Sequence, residues 1–432
     1  MKKFSAVLIG SGMRGEIYTS IMAKEPEKFE VIAVAEPVEK RRKAAQERHG
    51  IADENCFASW EDLLAKPKMA DIAVICTLDD GHYEPAMKAI ELGYNLLLEK
   101  PVAQTAQECA DIALAAKKHN VKVLVCHVLR YTPFYTTIKK ILMDGTIGEV
   151  MSAIQVEGVG NVHQSHSYVR GNWHSEKDST PMLLAKSCHD LDIVQWLLDK
   201  PCRKVTSFGE LTYFTEKNAP EGAPVRCIDG GCPIEDTCPY NCRKLYYEAK
   251  DDHWFRPVCA KDIAKTNVPT DEEVLQALKT TDYGLCVFHA NNDVVDHQVV
   301  NMEFEGGATV SFSMNAFNYG GRYIRLFGTK GELYANMSDT EITVYTFDDD
   351  KTTHIPATGA DESILAGHGG GDEGIIEELY DYFNDNYTGF RAADIEISVK
   401  NHLIGFAAEK ARHNNTVESV DAFFEEYGMV ND

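Results

Sequence analysis

No window of 18 consecutive apolar residues occurs in this chain, although 44% of its 432 residues are hydrophobic; a membrane-spanning helix is therefore not expected. Positive charge is also scarce. Lysine and arginine number 43 against 67 acidic residues, a formal net charge of −24. Such a balance favours solubility and repels polyanions, so a nucleic-acid partner, which needs clustered cations, is not expected either. A secretory signal is not expected: the apolar run Phe4–Ile9 breaks into Gly10-Ser11-Gly12 with no cleavage-type site after it. The expected location is the cytoplasm. There, most of the twelve cysteines, scattered through predicted strands and helices as well as loops, are reduced core residues.

The length suggests about two to four domains. The first begins with Phe4–Ile9 as a short buried strand, then Gly10-Ser11-Gly12-Met13-Arg14-Gly15, then a helical pattern through Lys24. This is G-x-G-x-x-G in the strand–turn–helix setting that gives it meaning. The first glycine makes the turn, the second admits a pyrophosphate, the third packs helix on strand, and the helix N-terminus faces phosphate. Ser11, Met13 and Arg14 complete this loop as cofactor-binding candidates. A second strand, Val31–Ala35, ends in Glu36, about 20 residues on, where a carboxylate binds the adenosine ribose diol and disfavours a 2′-phosphate. NAD is expected over NADP, with Arg41 and Arg42 as neighbouring cations. Helices over Glu39–His49, Trp60–Leu64, Glu84–Leu92 and Ala106–His119 alternate with strands over Asp71–Thr77, Leu96–Leu98 and Val121–His127, the rhythm of a doubly wound parallel sheet.

Asn95–Pro101 reads Asn-Leu-Leu-Leu-Glu-Lys-Pro, a buried strand that stops at a proline. Lys100 is thereby presented at a carboxyl strand end, where ligands bind in open α/β sheets. Thr77 closes its own strand on the same crevice.

The Gly10–Gly15 loop, Asp71–Thr77 with His82 following, and Glu99-Lys100-Pro101 resemble the Gfo/Idh/MocA oxidoreductase family over essentially the whole chain. The resemblance implies an N-terminal Rossmann domain (1–128) and a C-terminal α/β domain with an open, mainly antiparallel sheet (129–432). It implies dehydrogenase activity on sugars or inositols. It also places Lys100 between nicotinamide and substrate, with Thr77, His82, Glu99 and Pro101 near the cofactor. Arg130 and Tyr131, in Arg130-Tyr131-Thr132-Pro133, resemble the family's hinge and are substrate-side candidates.

The second domain carries a polar and aromatic stretch: His163, His166, Tyr168, Arg170, Trp173 and His174. One reading is a solvated loop. The other is a sugar-binding loop, in which aromatic rings stack on pyranose faces while imidazole and guanidinium groups bond hydroxyls; the density of rings favours it. Pro181–Asp199 is helical, with Leu184, Cys188, Leu191 and Leu198 on a core stripe and Lys186 and His189 on another face. This segment resembles the family's second active-site motif, with His189 in the place of its histidine and Asp190 beside it. Ala185 stands where an aspartate is common, and Lys186 makes a Lys-x-x-His variant.

Cys227, Cys232, Cys238 and Cys242 are spaced C-x4-C-x5-C-x3-C in an insertion near 227–259. They either close a structural zinc site or are free or redox-active thiols. Strands are predicted at Gly284–Ala290, Asp296–Phe304, Ala308–Ala316 and Tyr323–Gly328. His368–Asp372 reads as a glycine-rich turn with Asp372 capping the next helix. The outer sheet face suits a homodimer or homotetramer.

The expected chemistry is NAD-dependent oxidation of a secondary hydroxyl on a sugar, glycoside or cyclitol, with His189 as base, Lys100 polarising the oxygen and relaying the proton, and Lys186 orienting the substrate or sharing the charge. The alternative is an NAD-dependent glycoside hydrolase working by transient oxidation, elimination, hydration and re-reduction. A non-catalytic NAD sensor would not need Lys100 and His189.

Overall fold

The computed structural model describes residues 2–249, 254–266, 268–357 and 367–430. Six parallel strands form the first sheet: β1 (Phe4–Ile9), β2 (Phe29–Ala35), β3 (Cys56–Phe57), β4 (Ile72–Ile75), β5 (Asn95–Leu98) and β6 (Val123–Val125). Their order is β3-β2-β1-β4-β5-β6, so the direction of winding reverses between β1 and β4, the place where such sheets bind dinucleotides. The strands read as unbroken apolar runs because both faces are covered. Val7 and Ile9 feed one apolar core; Phe4, Ala6 and Leu8 feed the other.

That second core is completed from far along the chain. Ile375, Ile376 and Leu379 of the helix Gly367–Phe383 pack into it, and the long helix Ile395–Asn414 lies against the helix Ala106–His119. The C-terminal helices thus clasp the first sheet. The helix Gly367–Phe383 has a kinked start, with His368, Gly369 and Gly370 at positive φ.

The second sheet has nine strands: β7 (Val150–Gly158), β8 (Cys202–Glu210), β9 (His297–Phe304), β10 (Thr309–Asn315), β11 (Gly321–Gly328), β12 (Gly331–Asn336), β13 (Glu341–Thr346), β14 (Lys351–Pro356) and β15 (Glu418–Ser419). The order is β14-β13-β12-β11-β7-β10-β9-β8-β15. Only β7 and β10 run parallel; every other pairing is antiparallel. Val310, Phe312 and Met314 point into the core as their alternation requires.

Two local expectations fail. Gly284–Ala290 forms no strand: it makes a single bridge, Leu285 to Arg226, and Val287 and Phe288 enter an aromatic cluster with Phe214 and Tyr240. Asp372 does not cap the following helix; it is buried and bonded to Arg14.

Candidate active site

The carboxyl ends of β1, β4 and β5 open on a cleft of about 1040 Å³, whose far wall comes from β7, β11 and the insertion. Its near half is built for phosphate. Gly12 caps the helix Met13–Met22 with no side-chain hydrogen bond, so the first N–H groups have no side-chain cap at the cleft, the arrangement that binds anions. A Cβ added to Gly12 would meet nothing within 4 Å, which is the room a pyrophosphate needs. Gly10 has φ +87°, and a Cβ there would lie 2.6 Å from the Cys76 carbonyl oxygen. Gly10→Ala should cost about 1–3 kcal/mol and weaken dinucleotide binding; a thermal melt and a fluorescence titration check both.

Ser11, Gly12, Met13, Arg14, Thr77, Glu99 and Lys100 all line the cleft. Gly15, His82 and Pro101 do not. The ring nitrogens of His82 meet the carbonyl oxygens of Pro101 (2.7 Å) and Thr77 (3.2 Å), joining the two strand-end loops from behind. Glu36 also lies outside the lining. It is 4% exposed, and its two oxygens accept from Ser11 N (2.8 Å) and Val38 N (2.9 Å). The carboxylate expected on the ribose therefore props the glycine loop.

Glu99 fixes the loop that carries Lys100. One of its oxygens accepts from Arg14 Nε and Tyr18 Oη, each at 2.8 Å, and the other from Lys100 N at 2.8 Å. Burial opposes its charge, but Arg14 and Lys100 prevail and hold the carboxyl below its usual range. Arg14 also grips Asp372 with two nitrogens, at 2.6 and 3.0 Å. This carboxylate–guanidinium–carboxylate chain ties the glycine loop, β5 and the C-terminal helix into one unit.

Lys100 Nζ donates to Ala185 O at 3.1 Å and lies 5.9 Å from the Trp173 ring centre. His189 lines the same cleft. Its helix breaks at Lys186–Ser187, between Met182–Ala185 and Cys188–Leu198, and the break brings both Lys186 and His189 to the cavity. His189 Nδ1 is buried and has no hydrogen-bond partner among the described residues. Burial first, then the charges of Lys100, His127 and Arg322, hold its imidazole well below the usual range. The imidazole is therefore held in its neutral form at pH 7. The acidic limb of kcat/KM for oxidation should accordingly fall well below the ordinary imidazole value of about 6.5. A pH–rate profile with its limb near that value would contradict the assignment.

Lys186 Nζ pairs with Glu157 at 3.3 Å, and Glu157 meets Arg322 Nε at 2.6 Å. Behind them Asp190, fully buried, accepts from Arg322 (3.0 Å) and Gln155 (2.9 Å). Asp190 thus supports Arg322 and does not itself line the cleft.

The other substrate-side candidates divide. Tyr168 and Trp173 line the cleft, and Asp79 steers Trp173 by accepting from its indole at 2.9 Å and from Ser179 at 2.7 Å. Arg130 is buried and bonded to Asp192 at 2.7 and 2.6 Å. Tyr131 is buried in the second core of the first domain. His166 sits behind the wall, its ring 4.3 Å from Phe255 and 5.1 Å from Tyr283. Arg170 donates to the carbonyls of Leu285 and Tyr240, both at 2.8 Å, and His174 Nδ1 lies 2.8 Å from Gly171 O. None of these five lines the cleft. His163, from the same stretch, does line it, and the structure adds Glu157, Arg322, Asp79 and Trp254.

The cysteines of the insertion are all free. Among the described residues no group of three or more His, Cys, Asp or Glu is placed to hold a metal. Cys242 turns inward, its N–H donating to Cys227 Sγ at 3.4 Å, and packs with Tyr246 and Phe255. Cys232 and Cys238 line a separate small pocket with Cys227 and Cys286. Three of the four cysteines considered as zinc ligands thus line one pocket, and Cys242 is turned away from it.

Comparison with known proteins places the chain among oxidoreductases. YteT of Bacillus subtilis (strain 168), provisionally named an oxidoreductase, is 27% identical over 334 residues, 74% of each chain. An inositol 2-dehydrogenase/D-chiro-inositol 3-dehydrogenase of Lactiplantibacillus plantarum is 26% identical over 46% of this chain and 54% of its own length. A 2,7-anhydro-N-acetylneuraminate hydratase of Mediterraneibacter gnavus is 27% identical over 48% of this chain and 53% of its own; in these two the match spans about half the relative. Residues 4–127 match the oxidoreductase family's NAD-binding Rossmann fold and residues 139–416 its C-terminal alpha/beta domain. A glycine loop facing a lysine at a strand end, in a chain matched along both halves, has one reading: this protein belongs to the Gfo/Idh/MocA oxidoreductase family.

Proposed function

We propose that the protein oxidises a secondary hydroxyl of a sugar, glycoside or cyclitol. The observation that carries this is that Lys100 and His189 line one cleft with the glycine loop. When bound, the nicotinamide accepts the hydride from the carbinol carbon. The hydroxyl proton must leave in step, and neutral His189 takes it. Lys100 steadies the oxygen as charge develops on it. Lys186, held by Glu157, orients a neighbouring hydroxyl, and Tyr168 and Trp173, rings 5.8 Å apart, offer faces to the substrate's C–H side.

A redox-neutral cycle ending in hydrolysis or hydration is the second reading. His163 favours it, as a further imidazole on the cleft beyond what simple oxidation needs; the hydratase relative acts on an anhydro sugar by name. Incubation with NAD or NADP and a panel of inositols, sugars and aryl glycosides decides. Stoichiometric reduced cofactor supports the dehydrogenase, aglycone release without net reduction supports the hydrolase, and neither outcome with any compound would overturn both.

The outer face of the second sheet exposes Met151, Ile154, Phe208, Val299, Tyr323 and Tyr334. An apolar face of this kind is a site of association, and we expect a dimer or tetramer through it. Light scattering that returned one chain's mass of 48.2 kDa at micromolar concentration would contradict this.

A further inference from the structure

The end of the cleft beyond the glycine loop is cationic in a chain of net charge −24. Lys40, Arg41, Lys43 and Arg48 line it from the helix after β2, and Lys261 and Lys265 line it from the insertion. Two of the six are neutralised: Arg48 pairs with Glu16 at 2.5 Å and Lys43 with Glu39 at 2.6 Å. Lys40 donates to the Ala264 carbonyl at 3.0 Å, which lashes the insertion's turn Lys261–Ala264 to the Rossmann helix. Arg41 and Lys265 have no ion-pair partner among the described residues. Lys261 is half-buried; burial lowers the pKa of its amine, the adjacent Asp262 opposes that, and Arg41 adds to it. Cations pressed together at a cavity wall repel one another unless an anion sits between them.

The position names the anion. The start of the helix after β2 is where the adenosine ribose lies, and there a carboxylate selects the free 2′-hydroxyl while a cation accepts a 2′-phosphate. Glu36, the residue that would select the hydroxyl, is buried beneath the loop with both oxygens bonded to backbone N–H groups. Resting on the reading of this cleft as a dinucleotide site, we propose that Arg41, Lys261 and Lys265 form a two-sided clamp for the 2′-phosphate of NADP, half of it supplied by the insertion. The insertion is then part of the cofactor site, and its two lysines at the adenosine end set which dinucleotide is held.

Binding of NADP, NAD, adenosine 2′,5′-bisphosphate and inorganic phosphate to the full-length protein tests this by calorimetry. NADP should bind about tenfold or more tighter than NAD, each factor of ten being 1.4 kcal/mol, and adenosine 2′,5′-bisphosphate should bind where adenosine 5′-monophosphate is weak. Lys261→Ala with Lys265→Ala should erase that preference and leave the NAD affinity unchanged. Equal or tighter binding of NAD, or an equal loss for both dinucleotides in the double variant, would each overturn the clamp. Binding of neither dinucleotide would overturn the cleft assignment itself, a different and recognisable failure.

Discussion

Lys100→Ala should lower kcat by about a thousandfold, within the range for losing a group that handles a proton or a developing charge, and leave dinucleotide affinity nearly unchanged. The separation follows from where the amine sits. Its backbone is held by Glu99, which in turn holds Arg14 and the glycine loop, so that scaffold survives the truncation. What disappears is the ammonium that bonds Ala185 O and lies over Trp173. Lys100 is also the largest of the charges that keep the His189 imidazole down, after burial, so the variant's residual activity should have an acidic limb displaced upward. Steady-state kinetics over pH with a cofactor titration measure both. Turnover within tenfold of the parent would remove Lys100 from the chemistry.

Arg130→Leu should act on stability, not on KM. Arg130 and Asp192 are 2% and 1% exposed and share two short hydrogen bonds, with Asn401 Nδ2 donating to Asp192 at 2.6 Å. Removing the guanidinium strands a buried carboxylate, which costs about 3–5 kcal/mol; at roughly 2–4 °C per kcal/mol for a domain of this size, the thermal midpoint should fall by about 10 °C. Adding Asp192→Leu should recover part of that loss, because the unpaired charge goes with it. A raised KM with an unchanged midpoint would instead mean that Arg130 reaches the substrate.

Arg130 also shows where sequence reading stops. The glycine loop, Thr77 and Lys100 were legible because each is set by its neighbours in the chain: an apolar run, then a glycine or a proline that ends it. The doubly wound parallel sheet and the alternation of β10 were legible for the same reason. Which side of a wall a polar residue faces depends on partners far away. His166 and Arg170 lie in the same short stretch as Tyr168 and Trp173, yet a wide turn over Ser165–Val169 sends His166 toward Phe255 and Tyr283, residues about a hundred positions on. Glu36 was placed at the right strand end, but whether it turns outward to a ribose or inward to Ser11 N is a rotamer choice that no pattern encodes. Glu157 and Arg322 did leave a signal. In β7, Gln155 and Glu157 follow Ala153 on the inward face, and in β11 Arg322 precedes Ile324 and Leu326 on theirs; a charge in register with core residues needs a buried partner or a ligand. Spacing alone likewise does not fix where Cys242 points: it packs with Tyr246 and Phe255, away from the pocket that Cys227, Cys232 and Cys238 line.

A crystal structure of the protein with oxidised dinucleotide and a bound inositol or sugar tests the central claim most directly. The expected result is a carbinol oxygen within about 3 Å of both Lys100 Nζ and His189, hydrogen-bond reach for a base and its partner, with the adjacent C–H facing the nicotinamide ring. A substrate whose hydroxyls touched neither nitrogen, or a ring turned away from the Lys100 side of the cleft, would contradict it.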